Sequence, residues 1–172
     1  MYKQHLLNTI VDEMKICKRL YTKIPPGKMD YRPKSDIRSI HELLQYLCIV
    51  GTALPNYWLN ESESDFFASF DKKAAASKQM PHEQFLSVMN EQIELTHKLF
   101  DQINEDDLLN KEVIYPWGGK APFGEALISS SVKFLTGYKL QLFSLIRMCS
   151  DQKLGTADAW FITELDRDNN RS

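Results

Sequence analysis

The sequence predicts an all-α protein, a four-helix bundle, on three observations. Apolar residues recur every three or four positions in four long segments, the spacing that aligns side chains on one face of a helix. Two long connections, residues 22–34 and 56–81, separate these segments. A chain of 172 residues with 43% hydrophobic and 26% charged residues can bury one sizeable core. We therefore expect a single domain over residues 1–172, and the long connections leave more than one bundle topology open.

The first two predicted helices flank a proline-rich loop. The first helix spans residues 2–21, and "TKIPPGKMDYRPKS" follows as a loop because its three prolines and one glycine disfavour a helix. Ser35 is the predicted cap of the second helix, which Gly51 and Pro55 end. The helical stripes are Leu6, Ile10, Met14, Cys17 and Tyr21 in the first helix, and Ile40, Leu43, Leu47, Val50 and Leu54 in the second.

The connection at residues 56–81 is mixed in character. Its "FFASF" is apolar enough to pack on the bundle, whereas "DKKAAASKQMP" is predicted to be solvated and mobile. The sequence also allows a short helix in this connection. A third helix follows Pro81 and ends before the acidic turn "NEDD". Its apolar positions are Phe85, Met89, Ile93, Leu99, Phe100 and Ile103.

The fourth helix is predicted over residues of about 123–150. The preceding "KEVIYPWGGKAPFGEALI" is expected to be an ordered loop with a brief extended piece, because proline and glycine turn it repeatedly. After Gly155, "ADAWFITEL" predicts a short additional C-terminal helix, and residues of about 166–172 are expected to fray. One face of the fourth helix carries Leu127, Ser131, Phe134, Tyr138, Gln141, Leu142 and Leu145.

Charge and hydropathy exclude several classes of function. The formal net charge is -2 and no basic block is longer than a pair, so we expect no nucleic-acid partner. No 18 apolar residues run together and the N-terminus lacks the apolar stretch of a signal peptide, so we expect no membrane partner and a cytoplasmic location. Cys17, Cys48 and Cys149 lack the spacing of a zinc cluster and are expected to be reduced core thiols.

The segment "PPGKMDYRPKSDIRSIHELLQYL" leads into the second helix, and it resembles the second-helix entry of the DinB-like (YfiT-like) superfamily of putative metalloenzymes. In that family, a proline-bearing loop leads into a helix of the type Ser-hydrophobic-x-Glu-Leu-Leu-x-His-Leu. The metal-binding histidine of the family falls here on Tyr46, and His41 falls on a position that binds no metal. The matching residues are Ser39, Ile40, His41, Glu42, Leu43, Leu44, Gln45, Tyr46 and Leu47.

The fourth helix resembles the last helix of the same family, in which His-x-x-x-His continues into Arg-Gly-Gln-Leu. Gln141 and Leu142 are retained, but Phe134 and Tyr138 stand where the family has histidines, and "LGTADAWF" is a weaker similarity. Three imidazoles would hold a divalent metal such as nickel or zinc, whereas phenylalanine offers no donor and tyrosine binds metal only as phenolate. The resemblance thus implies a DinB-like bundle with no metal or cofactor, and an aromatic pocket of Tyr46, Phe134 and Tyr138.

Other candidate residues carry simpler interpretations. His41 lies about 140° around the helix from Tyr46, so we interpret it as a surface or interface histidine. The other three histidines show no ligand spacing, and the cysteines lie near helix C-termini, which disfavour a thiolate. Gln141 and Trp117 are candidates for the pocket rim. For Trp117, in "YPWGGK", we favour packing on the end of the bundle, with a lid over a pocket as the alternative.

Two hypotheses of function follow. The preferred one is a non-catalytic DinB-like protein with a degenerate, metal-free centre, which binds a small apolar ligand or a protein partner. The alternative is a metal-dependent or thiol-dependent transferase or hydrolase that uses non-standard ligands. Because Trp58, Phe66, Phe67 and Trp160 suggest more apolar surface than one small bundle covers, we also expect a homodimer.

Overall fold

The structure is a computed structural model that describes residues 1–62, 64–163 and 166. Across these residues the chain is predominantly helical with one short hairpin, which confirms the all-α prediction. The helices are α1 (Tyr2–Tyr21), α2 (Ile40–Val50), α3 (Ala53–Asn56), α4 (Phe66–Ser77), α5 (Phe85–Asp101), α6 (Glu105–Asn110), α7 (Phe123–Leu127), α8 (Lys133–Cys149) and α9 (Thr156–Trp160), and the strands are β1 (Glu112–Ile114) and β2 (Lys120–Pro122).

Four of these helices enclose the core. Helix α1 packs against α5 and α8, and α2 packs against the same two helices. Each is apolar on the side that faces the others, so the inward side chains form one continuous cluster. Within the described part of the chain, no helix combines the length and the apolar character needed to cross a membrane.

Helix α2 begins later than predicted. The Ser39 hydroxyl accepts a hydrogen bond from the Glu42 amide (3.2 Å), and the Glu42 carboxylate accepts one from the Ser39 amide (2.9 Å), which is a capping box. Ser35 lies in the preceding loop, so the prediction that it caps the helix is wrong. Gly51 follows the other end of α2. A Cβ at this position would lie 2.8 Å from Met14 Cε of α1 and 2.9 Å from a Leu135 methyl of α8, so the absence of a side chain allows α1, α2 and α8 to pack closely.

The connection at residues 56–81 is more helical than predicted. Residues Tyr57–Glu61 form one π-helical turn, and Asp65 caps α4 by accepting hydrogen bonds from the amides of Phe67 (2.9 Å) and Ala68 (3.2 Å). Helix α4 packs against α2, although none of its residues is fully buried. The alanines that suggested a solvated segment are good helix formers, and they extend the helix to Ser77.

Two local predictions around the hairpin differ in outcome. The acidic turn after α5 is in fact the start of α6, because Asn104 and Asp107 form a second capping box. The brief extended piece is confirmed as the antiparallel pair of β1 and β2. Gly118 and Gly119 close its turn at φ of 98° and 85°, a region that L side chains rarely adopt.

The last third of the chain follows the prediction closely. Helices α7 and α8 join through a π-helical turn at Ile128–Val132, so helical backbone runs over 123–149. Helix α9 confirms the short C-terminal helix. Asp166, which we expected to fray, is buried, and residues 167–172 of the predicted tail lie outside the described residues.

One arginine of α1 fastens the C-terminal segment. The Arg19 guanidinium donates to the carbonyls of Ala157 (3.1 Å), Asp158 (3.0 Å) and Phe161 (2.7 Å), and it pairs with the Asp166 carboxylate. We call this set of contacts the Arg19 clasp. It joins the end of the first helix to residues almost 150 positions later, with a sequence separation of 147 for the Asp166 contact.

Candidate functional site

A cleft of about 700 Å³ lies between α2, α4 and the loop that precedes α2. Its apolar lining residues are half-buried and its charged ones are exposed. Clefts of this size that combine an apolar wall with a few polar groups are typical of small-molecule sites. The apolar residues are Tyr46, Ile49, Phe70 and Ala74, the charged ones are Asp30, Arg32, Arg38, Glu42 and Lys78, and the other polar ones are Ser39, His41, Gln45 and Ser77.

Two aromatic side chains, Tyr46 and Phe70, line part of this cleft. The rings of Tyr46 on α2 and Tyr138 on α8 meet edge to face, with centroids 4.7 Å apart and planes at 70°. Phe70 of α4 approaches Tyr46 in the same way, at 6.2 Å and 74°. Two of the three residues predicted for an aromatic pocket therefore touch, and a solvent-connected cleft reaches one of them.

The guanidinium of Arg38 lies against both tyrosines. Its central carbon is 4.2 Å from the Tyr46 ring centroid and 5.6 Å from that of Tyr138, within the range of cation–π attraction. Arg38 immediately precedes the Ser39 cap, so the rigid start of α2 determines where its side chain begins. Among the described residues, no carboxylate forms an ion pair with it.

The Tyr46 hydroxyl stays protonated at neutral pH. The pKa of Tyr46 is raised to about 12, first by burial and then by charge repulsion and a hydrogen bond from the neighbouring Tyr138, while Arg38 opposes the rise. A phenolate ligand for a metal is therefore unfavourable at this position. The hydroxyl is a neutral hydrogen-bonding group instead.

The remaining predicted pocket residues lie apart from the cleft. Phe134 is half-buried one turn before Tyr138 and packs on the core, and no ring contact joins it to either tyrosine among those described. Gln141 is half-buried on α8, and neither it nor Trp117 lines the cleft. Their role as a pocket rim stays a prediction.

The hairpin is anchored by a different tryptophan from the one predicted. Trp117 is 56% exposed and stacks on Tyr115, with centroids 5.2 Å apart, so our interpretation that it packs on the end of the bundle is wrong. Trp58, which we expected to be exposed, is only 7% exposed. It contacts the rings of Tyr115 and Phe123 and donates its Nε1 hydrogen to the Ile114 carbonyl (2.9 Å).

A polar cluster fixes the other edge of the cleft. His41 lines the cleft, and its Nε2 lies 2.9 Å from the Met80 carbonyl and 3.1 Å from the Gln45 amide nitrogen. The same amide donates to the Lys78 carbonyl (3.0 Å), and a second histidine, His82, meets His41 ring edge to face at 5.9 Å. The expected surface histidine is thus half-buried and ties α2 to the residues after α4. Sequence spacing missed this because the partners are backbone carbonyls.

The thiols agree with the expectation of reduced core cysteines. All three are free; Cys17 and Cys48 are buried and Cys149 is half-buried. The pKa of each thiol is raised, and burial is the largest cause in all three; the pKa of Cys48 is about 12. Raised pKa values disfavour the thiolate that thiol chemistry requires.

A buried ion pair on the far side of α8 was not predicted. Lys139 is 0% exposed, and its Nζ lies 3.0 Å from Oε1 and 2.8 Å from Oε2 of Glu13 on α1. The lysine also lies 5.5 Å from the ring centroid of Trp160 of α9. The sequence does indicate that Lys139 is buried, because it falls on the same apolar stripe of the helix as Leu135 and Leu142.

Metal ligands and known relatives give no further guidance to the site. Within residues 1–62, 64–163 and 166, no group of three or more His, Cys, Asp or Glu side chains is arranged to hold a metal ion. Comparisons of the chain with protein-family models, curated proteins and solved structures found no match.

Proposed function

We propose that this chain is a ligand-binding protein of DinB-like type, a four-helix bundle whose former metal centre is aromatic. Its ligand is a small, largely apolar organic molecule held beside Tyr46 without a metal ion. The family part of the proposal rests on the motifs around Tyr46 and Tyr138. It is supported by the cyclic packing of α1, α5, α2 and α8.

The observation that carries the ligand proposal is the contact between an open cleft and the aromatic pair. A fully packed centre would leave no room for a ligand, whereas here Tyr46 lines a cleft of about 700 Å³ while its ring touches Tyr138. Half-buried Ile49, Phe70 and Ala74 add apolar surface. A concave site of this kind favours a small molecule over the protein partner that we also considered.

The enzymatic alternative has less support in its thiol-dependent form, because the pKa of every thiol is raised. For the metal-dependent form, elemental analysis of the protein as purified is decisive. One equivalent of bound nickel or zinc would favour that alternative over ours.

A neutral aromatic probe tests the ligand proposal. We expect 2-naphthamide to bind with equal affinity in the presence and absence of EDTA, and to shift the backbone amide NMR signals of Tyr46, Ile49 and Phe70. Ala74→Trp should block binding, because Ala74 lines the cleft. Ala75→Trp is the matched control, since Ala75 is exposed on the same helix and is not a lining residue. No shifts at millimolar probe, or equal binding by both variants, would refute the proposal.

We also propose a homodimer, supported by the exposed Phe67 (54%) and Trp160 (41%). Multi-angle light scattering gives the test. A mass near 20.0 kDa at high concentration, which is that of one chain, would overturn the dimer without affecting the cleft.

A further inference from the structure

We infer that the cleft takes a monoanionic ligand, a carboxylate joined to an aromatic or aliphatic body, and that Arg38 binds the carboxylate. This inference rests on the proposed function and names the class of its ligand. Three cations, Arg32, Arg38 and Lys78, line the cleft, and they differ in the groups that they contact.

The charged groups of the cleft are partnered unequally. Arg32 forms an ion pair with Glu42 at 2.9 Å, and the same glutamate accepts a hydrogen bond from the Ser39 amide in the capping box. The hydrogen bond from the Ser39 amide is the largest cause of the lowered pKa of Glu42, so it stabilises the negative charge of the carboxylate. Arg38 has neither an ion pair nor a hydrogen bond from its side chain among the described residues.

Cation–π contacts nevertheless restrain the exposed side chain of Arg38. Attraction to the faces of Tyr46 and Tyr138 holds the guanidinium at 4.2 Å and 5.6 Å from the ring centroids. This attraction uses the charge of the group, and no residue that the structure describes accepts a hydrogen bond from its five N–H donors. A planar fork of donors that is already oriented matches a carboxylate, which can accept two parallel hydrogen bonds.

The rest of the lining limits the charge and shape of the ligand. Arg32, Arg38 and Lys78 face two carboxylates, Asp30 and Glu42, so the cleft has a small excess of positive charge although the chain has a formal net charge of -2. A second anionic group on the ligand would meet those carboxylates. The apolar surface of Tyr46, Ile49, Phe70 and Ala74 lies beside Arg38 in the same cleft and accepts the uncharged body.

Two probes of the same shape separate the charge from the apolar body. We expect 2-naphthoate to bind the parent protein at least about tenfold more tightly than 2-naphthamide, because charge-assisted hydrogen bonds are roughly twice as strong as neutral ones. Arg38→Gln should remove this preference and leave the affinity for the amide within about twofold. Lys78→Gln removes a charge from the same cleft and should weaken the preference much less than Arg38→Gln does, because Lys78 makes no cation–π contact in the described structure. Calorimetric titration measures all six dissociation constants.

Each outcome decides between the two levels of the proposal. If both probes bind the parent equally, or if the preference survives Arg38→Gln, the inference is overturned while ligand binding stands. Equal loss in the Arg38 and Lys78 variants would show general electrostatic attraction and also overturns it. If neither probe binds, both the proposed function and this inference are overturned.

Discussion

Tyr138 and Lys139 are neighbours in sequence, yet the two sides of α8 that they occupy differ in how charge is satisfied. On the Lys139 side, the ammonium is fully buried and its partner Glu13 comes from α1. On the Tyr138 side, the cation is Arg38, which is exposed, lies against tyrosine rings and forms no ion pair within the described part of the chain. The described structure gives the first cation a direct carboxylate contact and the second none, although the carboxylates of Asp30 and Glu42 line the same cleft as Arg38.

This difference separates a structural site from a binding site. A charge taken fully out of water is tolerated only when its partner is present, because the desolvation penalty amounts to several kcal/mol per ion. The Glu13–Lys139 pair therefore depends on α1 and α8 staying together. Arg38 keeps contact with solvent, so the cost of leaving it unpaired is small, and its donors are available to a ligand.

The largest effect is expected from rebuilding the open side as a metal site. Changing Tyr46, Phe134 and Tyr138 together to histidine should cost about 1 to 4 kcal/mol per position, since aromatic packing is lost and polar rings are buried. Nickel or zinc should then restore part of the stability by binding only the folded state. Thermal melting with and without metal is the measurement, and the parent protein is the control. A folded triple variant with no metal-dependent gain would show that the three positions share no centre.

The closed side should respond to the loss of one partner. Lys139→Met leaves the Glu13 carboxylate buried and unpaired, and we expect it to lower the free energy of unfolding by about 3 to 5 kcal/mol. Combining it with Glu13→Leu should recover most of that loss, because no uncompensated charge remains. Urea denaturation of both variants measures this. A single variant within about 1 kcal/mol of the parent would contradict the structural role of the pair.

The Arg19 clasp is expected to have an intermediate effect. Arg19→Met keeps the aliphatic packing but removes the bonds to Ala157, Asp158, Phe161 and Asp166, so we expect a loss of about 2 kcal/mol and faster proteolysis of the C-terminal segment. Lys18→Met is the matched control. Its ammonium donates a hydrogen bond to the Asn90 side chain at an exposed position (2.5 Å), so the change should stay within about 0.5 kcal/mol. Equal protease sensitivity of the two variants would exclude the clasp.

The smallest effect concerns the protonation of Tyr46. Its pKa in the folded protein, about 12, exceeds the value of about 10 in an unfolded chain. The folded state thus retains a proton that the unfolded state loses, and stability should fall as pH rises from about 10 to 12. Tyr46→Phe should show a smaller fall and should lack one late step in the absorbance titration of tyrosine. An unchanged titration curve would mean that another tyrosine carries the raised pKa.

The long helices were predictable because each has a clear apolar stripe. The spacing around Leu6, Ile10 and Met14 predicts α1 with its observed ends, and the stripe before "NEDD" predicts α5. Helix ends were less accessible. Ser35 and Ser39 are equally good caps by residue type, but only Ser39 is followed three residues later by a glutamate, the capping-box signature that the prediction of Ser35 did not use.

The site was predicted in part, because sequence spacing carries information within one helix but little between helices. The family resemblance led to Tyr46 and Tyr138, which do touch. Neither Arg38 nor Glu13 was singled out, since each acquires its role from residues on another helix. The error over Trp58 and Trp117 has the same origin, because composition cannot show which indole the hairpin covers.

The Arg19 clasp also constrains when this protein can complete its fold during synthesis. Synthesis proceeds from the N-terminus, so α1 emerges well before the carbonyls and the carboxylate that bind Arg19, which follow it by 138 to 147 positions. Contacts across most of the chain are slow to form because a long loop must close. A nascent chain that ends before α9 therefore lacks two things: the carbonyl and carboxylate partners of Arg19, and the Trp160 ring that lies 5.5 Å from Lys139.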